Sequence, residues 1–325
     1  MTSRRVFLTA VLALASARLA AQDKAAKVYR IGVLEPVSLQ ANGANMEQFL
    51  KGLKDLGYSE GNNLAIEYLS AEGRIERFAR LARDLVSHDV ALIVTSGTPA
   101  TLAAMKASVP VVTAGVVDPV DVKVVQSLER PGGNVTGMAV LTEELEAKRL
   151  ELLLAIAPSG SKRVAAIMDM SNPGFAEAWK AMQPAATRLG MELELIDVRK
   201  PEEVVRGLGV AVAHKASAAV VRFGSLTPGA RRSITDAAAQ SKLPAIYNSR
   251  QFVEAGGLAS YGVNTPQMYY RAAAFVDKIL KGAKPATLPM ERATRFELVL
   301  NRLTAHRLGL IIPPDLFLKS DQVIG

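Results

Sequence analysis

Residues 91–100 read ALIVTSGTPA. Ala91 to Thr95 is a short run that is apolar at nearly every position, the pattern of a strand buried on both faces of a sheet. Ser96-Gly97 then breaks the run, and Thr98-Pro99 opens a helix, with proline near its favoured place in the first helical turn. Strand, tight turn and helix in ten residues make half of a βαβ unit. A chain of such units forms a parallel sheet covered by helices.

Outward from that stretch the same unit recurs. RIGVLE (30–35) is a buried-type strand, and Met46, Phe49, Leu50, Leu53 and Leu56 follow at helical spacing, closed by Gly57. Asn63 to Tyr68 is predicted as a strand, and Ile75, Phe78, Leu81, Leu85 and Val86 as a helical stripe. Pro110 to Val117 and Asn134 to Leu141 complete a first set of strands. A second cycle starts near Arg163, with strands at Val164 to Met168, Leu193 to Val198, Ala218 to Arg222 and Pro244 to Tyr247, and a helix carrying Phe175, Trp179, Met182 and Leu189. The late strand Leu258 to Val263, helix Gln267 to Leu280 and strand Phe296 to Asn301 break the tandem, and are expected to return to the first lobe. The expectation is an α/β protein of two Rossmann-like lobes with parallel sheets. Lobe 1 takes 29–142 plus about 264–300, lobe 2 takes 143–263, and 301–325 packs across both. Crossovers near Leu141–Glu146, Tyr261–Thr265 and Lys284–Arg295 would form a hinge.

The chain has 325 residues, 49% of them apolar and 22% charged, which excludes disorder over most of its length. There is no cysteine, so no disulfide framework, thiol nucleophile, cysteine-ligated zinc or lipidated cysteine. Three histidines, each in or beside a helical pattern, leave little for metal or acid–base chemistry. Arg4-Arg5, the apolar run Val6 to Ala15 and the small exits Ala15-Ser16-Ala17 and Ala20-Ala21 form a secretory signal over 1–21. Ser3 to Leu8 also fits a twin-arginine export pattern up to Thr9. The expected location is therefore periplasmic, with cleavage between Ala17 and Ala21 and no stable membrane insertion. Net charge is +8 for the whole chain, and with Arg4, Arg5 and Arg18 removed and no acid lost it is +5. The charge is spread without a basic patch, and no helix-turn-helix segment precedes Arg30, so no nucleic-acid partner is expected.

Ligands of open parallel sheets bind beyond the carboxyl ends of the strands. In the first lobe that rule selects Glu35, Ser96-Gly97-Thr98 and Gly115 to Asp118; in the second, Asp169 to Asn172, Phe223-Gly224-Ser225 and Asn248. The hydroxyls and glycine of Ser96-Gly97-Thr98 suit a carboxylate or phosphate at a helix N-terminus, or else simply cap that helix. Asp118 either pairs with a ligand ammonium or makes an Asx turn, and Asn172 and Asn248 either reach the ligand or serve turns and caps. Tyr261 either stacks on a ligand or packs a hinge. Trp179 reads as core. No nucleophile elbow, HExxH or CxxC pattern is present, and Arg130 to Asn134 lacks the Lys-Ser/Thr of a phosphate loop.

Ten stretches in order carry a family resemblance: FLKGLKDLGYSEGNNLAIEY (49–68), AEGRIER (71–77), IVTSGTPA (93–100), Asp118-Pro119-Val120, SLERPGGNVTG (127–137), KRLELL (148–153), AGGLASYG (255–262), VDKILKGAKP (276–285), TRFELVLN (294–301) and LGLIIP (308–313). They resemble the ABC-transporter periplasmic substrate-binding proteins that include tryptophan/tyrosine-type uptake components. The resemblance implies a type I periplasmic binding fold: two lobes, a three-strand hinge and ligand in the cleft. It places Ser96, Gly97 and Thr98 on the ligand's carboxylate, Asp118 at the cleft edge, and Asn172, Asn248 and Tyr261 on the second lobe or hinge. Asp121-Val122-Lys123 and Leu69 depart from the family's usual glycines and arginine, so an amino acid or small carboxylate is expected without an aromatic side chain being specified. It implies a cofactor-free, monomeric, non-enzymatic protein that closes around a small-molecule ligand and docks on ABC permease subunits. The alternative is an extracytoplasmic ligand sensor for a receptor or kinase.

Overall fold

The computed structural model describes residues 27–158, 160–224 and 228–325. The expected export signal at 1–21 lies outside the described residues, as does Ser225. Along the chain run β1 (Tyr29–Glu35), α1 (Gly43–Asp55), β2 (Leu64–Ser70), α2 (Phe78–Ser87), β3 (Leu92–Thr95), α3 (Thr98–Ala104), β4 (Val111–Val117), β5 (Val135–Val140) and α4 (Thr142–Ile156). Then come β6 (Arg163–Met168), α5 (Pro173–Arg188), β7 (Glu192–Asp197), α6 (Pro201–Ala213), β8 (Ala218–Arg222), α7 (Pro228–Gln240), β9 (Ala245–Tyr247), α8 (Arg250–Glu254) and β10 (Ala259–Val263). The chain ends with α9 (Thr265–Leu280), β11 (Glu291–Arg292), β12 (Phe296–Asn301), α10 (Arg302–Arg307), α11 (Pro314–Lys319) and β13 (Gln322–Ile324).

The strands form two sheets, ordered β11-β5-β4-β3-β1-β2 and β13-β12-β10-β9-β8-β6-β7. Every pairing is parallel except β10 with β12. Each sheet has a core on both faces, as the apolar strands require. On β1, Ile31 and Val33 enter one cluster and Leu34 the other. On β8, Ala218 and Val220 face one side, and Ala219 and Val221 the other. In each lobe the strand order turns back beside its first strand, between β1 and β3 and between β6 and β8. Those reversals are the switch points at which such sheets bind ligands.

The lobes also share smaller features. His88 ends α2 and pairs with Glu67 on β2, while His214 ends α6 and pairs with Glu194 on β7 at 2.5 Å. Both histidines are exposed, as is His306. Trp179 packs partly buried against the second-lobe core.

The chain passes between lobes three times, at 140–142, 263–265 and 293–296. The passages are tied to one another: Ala293 N–H donates to Ala139 O at 2.8 Å, and Asn264 Nδ2 donates to Glu297. The return segment differs from the expected 264–300. α9 packs on the first-lobe core, but β12 pairs antiparallel with β10 in the second sheet, with Tyr261 opposite Leu298. The expected straddling by 301–325 gives way to packing on the second lobe. There Ala305, Ile312 and Leu316 join the core and β13 extends the sheet beside β12. The apolar Leu298-Val299-Leu300 run needs two covered faces, and a place in the second sheet between β13 and β10 supplies them.

Candidate cleft between the lobes

The carboxyl ends of the two sheets face each other. Gly174, in the first turn of α5, lies so close to the first lobe that a Cβ there would sit 2.6 Å from Thr98 Oγ1 and 2.8 Å from Val117 Cβ. Thr98 is only 1% exposed as a result. Its hydroxyl accepts the Val117 N–H at 3.3 Å, so it joins the end of β4 to the start of α3.

The first-lobe side is polar and buried. Glu35 ends β1 at 1% exposure and accepts the Tyr269 hydroxyl at 2.7 Å. Burial pushes the Glu35 carboxyl up to about 8, against the opposing effect of the Tyr269 hydrogen bond, so the group is largely protonated at neutral pH. Ser96 lies beside the same Tyr269 hydroxyl, and Asn42 Nδ2 donates to it at 3.4 Å. Asn45 donates to Asn42 Oδ1 at 2.8 Å, while its own Oδ1 is buried without a partner.

Gly97 has φ of 82° and donates its N–H to Gly115 O at 2.8 Å, and a Cβ on it would meet nothing within 4 Å. It therefore shapes the turn and leaves open space above it. Gly115 lies within β4, where a Cβ would sit 2.9 Å from the terminal methyl of Met268 on α9. Its lack of a side chain is explained by that packing.

Asp118, at φ of 40°, accepts the Thr142 N–H at 3.1 Å on Oδ1 and the Thr142 hydroxyl on Oδ2. Both oxygens thus hold the start of α4, the first segment of the second lobe. Burial raises its pKa despite those two bonds. Asn172 caps α5 by accepting the Gly174 N–H at 3.1 Å.

On the second lobe, Phe223 is buried in the core, and its carbonyl faces Asn248 Nδ2 at 3.5 Å. Asn248 Oδ1 is buried and has no hydrogen-bond partner among the described residues. Tyr261 packs its ring 6.0 Å from that of Phe296, and its carbonyl accepts Arg149 Nε at 3.1 Å and Nη2 at 2.7 Å.

Three functional-looking groups escaped the sequence reading. Glu146 on α4, 0% exposed, bonds through one oxygen to Arg149 and through the other to Arg222. Arg222 is the last residue of β8, one position before the segment selected as following that strand. Burial lowers both arginines to about 10. A charge closing the run AAVVR was the available signal for Arg222. Glu146 and Arg149 sit in the charge-rich helix TEELEAKRLE (142–151), where no pattern separates buried from solvated charges.

Two doubly wound lobes, three connecting passages and a cleft lined by strand ends define the type I periplasmic binding fold. The chain belongs to the ABC transporter substrate binding protein family, whose family model matches residues 30–324. A curated tyrosine-binding protein of Clostridioides difficile is 26% identical over 302 residues, covering 91% of this chain and 86% of that one. A Streptococcus pneumonia ABC domain in complex with L-Trp is 27% identical, covers 92% of this chain and 100% of that chain, and superposes with a TM-score of 0.84. A ligand-free, open substrate-binding protein of Clostridium difficile with adhesive properties is 25% identical, covering 91% of this chain and 99% of that chain, with a TM-score of 0.67. At nearly equal identity the chain resembles the L-Trp complex more than the open protein, in keeping with the Gly174–Thr98 contact. Among the described residues no helix is long and apolar enough to cross a membrane.

Proposed function

We propose that this protein is the periplasmic solute-binding component of an ABC-type uptake system, and that it binds one amino acid in the interlobe cleft by hinge closure. The observation that carries the reading is a pair of buried orphans at the carboxyl edge of the second sheet. Among the described residues, Asn248 Oδ1 is an acceptor without a donor, and Arg222 Nε is a donor without an acceptor. Buried polar atoms are rarely left unpaired, and a zwitterion carries both a cationic donor and an anionic acceptor. Relatives that bind tyrosine and L-Trp support the same ligand class.

Ser96, Gly97 and Asn248 are the residues best placed to touch the ligand. Thr98, Asp118, Asn172 and Gly115 act through closure, hinge, cap and packing. Glu35 reaches the cleft through Tyr269 and Ser96. The ligand works by differential affinity: it bridges the lobes only when they close, and the closed form docks on permease subunits. The protein acts as a monomer. Mass spectrometry of the small molecule released from protein purified without unfolding tests the reading. An amino acid at about one per chain is expected, and a sugar or nucleoside in its place overturns it.

A further inference from the structure

We infer that Arg222 is the group that holds the carboxylate of the cleft's ligand. The inference rests on the amino-acid reading above and assigns the ligand's anionic end to the second lobe.

Among the described residues, Arg222 Nε is the one buried guanidinium donor without an acceptor. Glu146 is one carboxylate shared by two guanidinium groups. Arg149 spends Nη1 on Glu146 and both Nε and Nη2 on the Tyr261 carbonyl. Arg222 spends Nη1 on Glu146, and its Nε is buried with no acceptor although the residue is only 5% exposed. The network is therefore one acceptor short, and the deficit falls on Arg222. A guanidinium held through Nη1 keeps its Nε–Nη2 edge, a two-donor fork that matches a carboxylate.

Arg222 also stands where a ligand arrives. It ends β8, paired with Met168 of β6, at the switch point of the second sheet. It has the same place in its lobe as Ser96 in the first: each lies eight residues after the histidine that ends the preceding helix. Its guanidinium carbon lies 4.9 Å from the centre of the Phe175 ring, which fixes the plane of the fork. Phe175 directly follows Gly174, the residue that meets Thr98 across the cleft. Asp118 of the first lobe is close enough to act on Arg222, but each of its oxygens already accepts from Thr142.

The helix that the sequence offered for this task is less suited. Gly97 N–H is bonded to Gly115, and the Thr98 hydroxyl accepts from Val117.

The test compares acids with amides. The proteinogenic L-amino acids, L-tyrosine and L-tryptophan first, are titrated into the full protein beside the α-amide of each one that binds. The wild type is expected to prefer the acid roughly 10- to 100-fold, the range of a charge-assisted contact. Arg222→Gln should lose that preference by weakening the acid alone, with amide affinity nearly unchanged. Arg222→Lys, which keeps the charge but not the fork, should fall between, and serves as the reading if the glutamine variant does not fold. If both variants keep the preference, the anchor is wrong and the amino-acid reading stands. Equal weakening of acid and amide assigns Arg222 to lobe closure and overturns the anchor. A wild type that binds no amino acid overturns both readings.

Discussion

Gly174 of the second lobe lies against Thr98 of the first, with room for no Cβ between them. The contact joins the first turn of a helix after β6 to the turn after β3, so it exists only while the lobes are together. The three atoms nearest to a Cβ built there all belong to Thr98 and Val117 of the first lobe.

Gly174→Leu should therefore wedge the lobes apart without harming either fold. Ligand affinity should drop about tenfold or more, one decade for each 1.4 kcal/mol of closure strain. The melting temperature without ligand should move little. Calorimetric titration and thermal unfolding on the same samples check this, and unchanged affinity would show that closure does not bring Gly174 to Thr98.

The raised Glu35 pKa predicts a pH-dependent stability. Its carboxyl titrates near 4.5 when unfolded and at about 8 when folded. Between those values the folded state holds more protons than the unfolded one, so stability falls as pH rises. The favourable contribution is complete below 4.5, declines up to about 8 and is flat beyond. The span is on the order of a few kcal/mol for so buried a group. Glu35→Gln should remove the slope, and denaturant melts between about pH 5 and pH 8.5 (about 3.5 units apart) measure it. An equal slope in both proteins contradicts the assignment.

Asp118 ties the first lobe to α4 through Thr142. Asp118→Ala loses both bonds and puts alanine at φ of 40°, so a loss of about 1–2 kcal/mol is expected. Asp118→Asn keeps an acceptor and a side chain that tolerates this backbone, and should lose less. Chemical denaturation of the two variants orders them.

Glu146→Gln leaves Arg149 and Arg222 buried with no carboxylate between them. Loss of one partner from a buried ion pair costs about 3–5 kcal/mol. Arg149→Met should cost less at Glu146, which still pairs with Arg222, but it strands the Tyr261 carbonyl. Comparing the two melts separates the charge network from the hinge contact.

Much of the fold could be read from ALIVTSGTPA and its repeats, because a buried parallel strand is apolar at every position and helix starts carry their own chemistry. The destination of Phe296–Asn301 could not. An apolar run fits either sheet, and β12 joins the second, between β13 and β10, where it runs antiparallel to β10. The site was legible to the accuracy of the rule about strand ends. That rule selects Ser96, Gly97 and Asn248, which we propose as ligand contacts, and it begins one residue after Arg222. Asn172 and Asp118 had two open readings each: Asn172 caps α5, whereas Asp118 accepts from Thr142 across the passage between lobes instead of making an Asx turn. Tyr269 was hidden differently. It comes from a helix 234 residues away from Glu35 in the chain, and only the return passage through the hinge brings them together.

An amino acid that closes the two lobes is the central claim. Its most direct test is a titration of ligand-stripped, refolded protein with L-tyrosine, L-tryptophan and the other proteinogenic amino acids, followed by calorimetry and small-angle scattering together. At least one amino acid should bind one to one, and the radius of gyration should fall with the same midpoint. Binding with no change in radius, or no binding by any amino acid while a sugar binds, would contradict it.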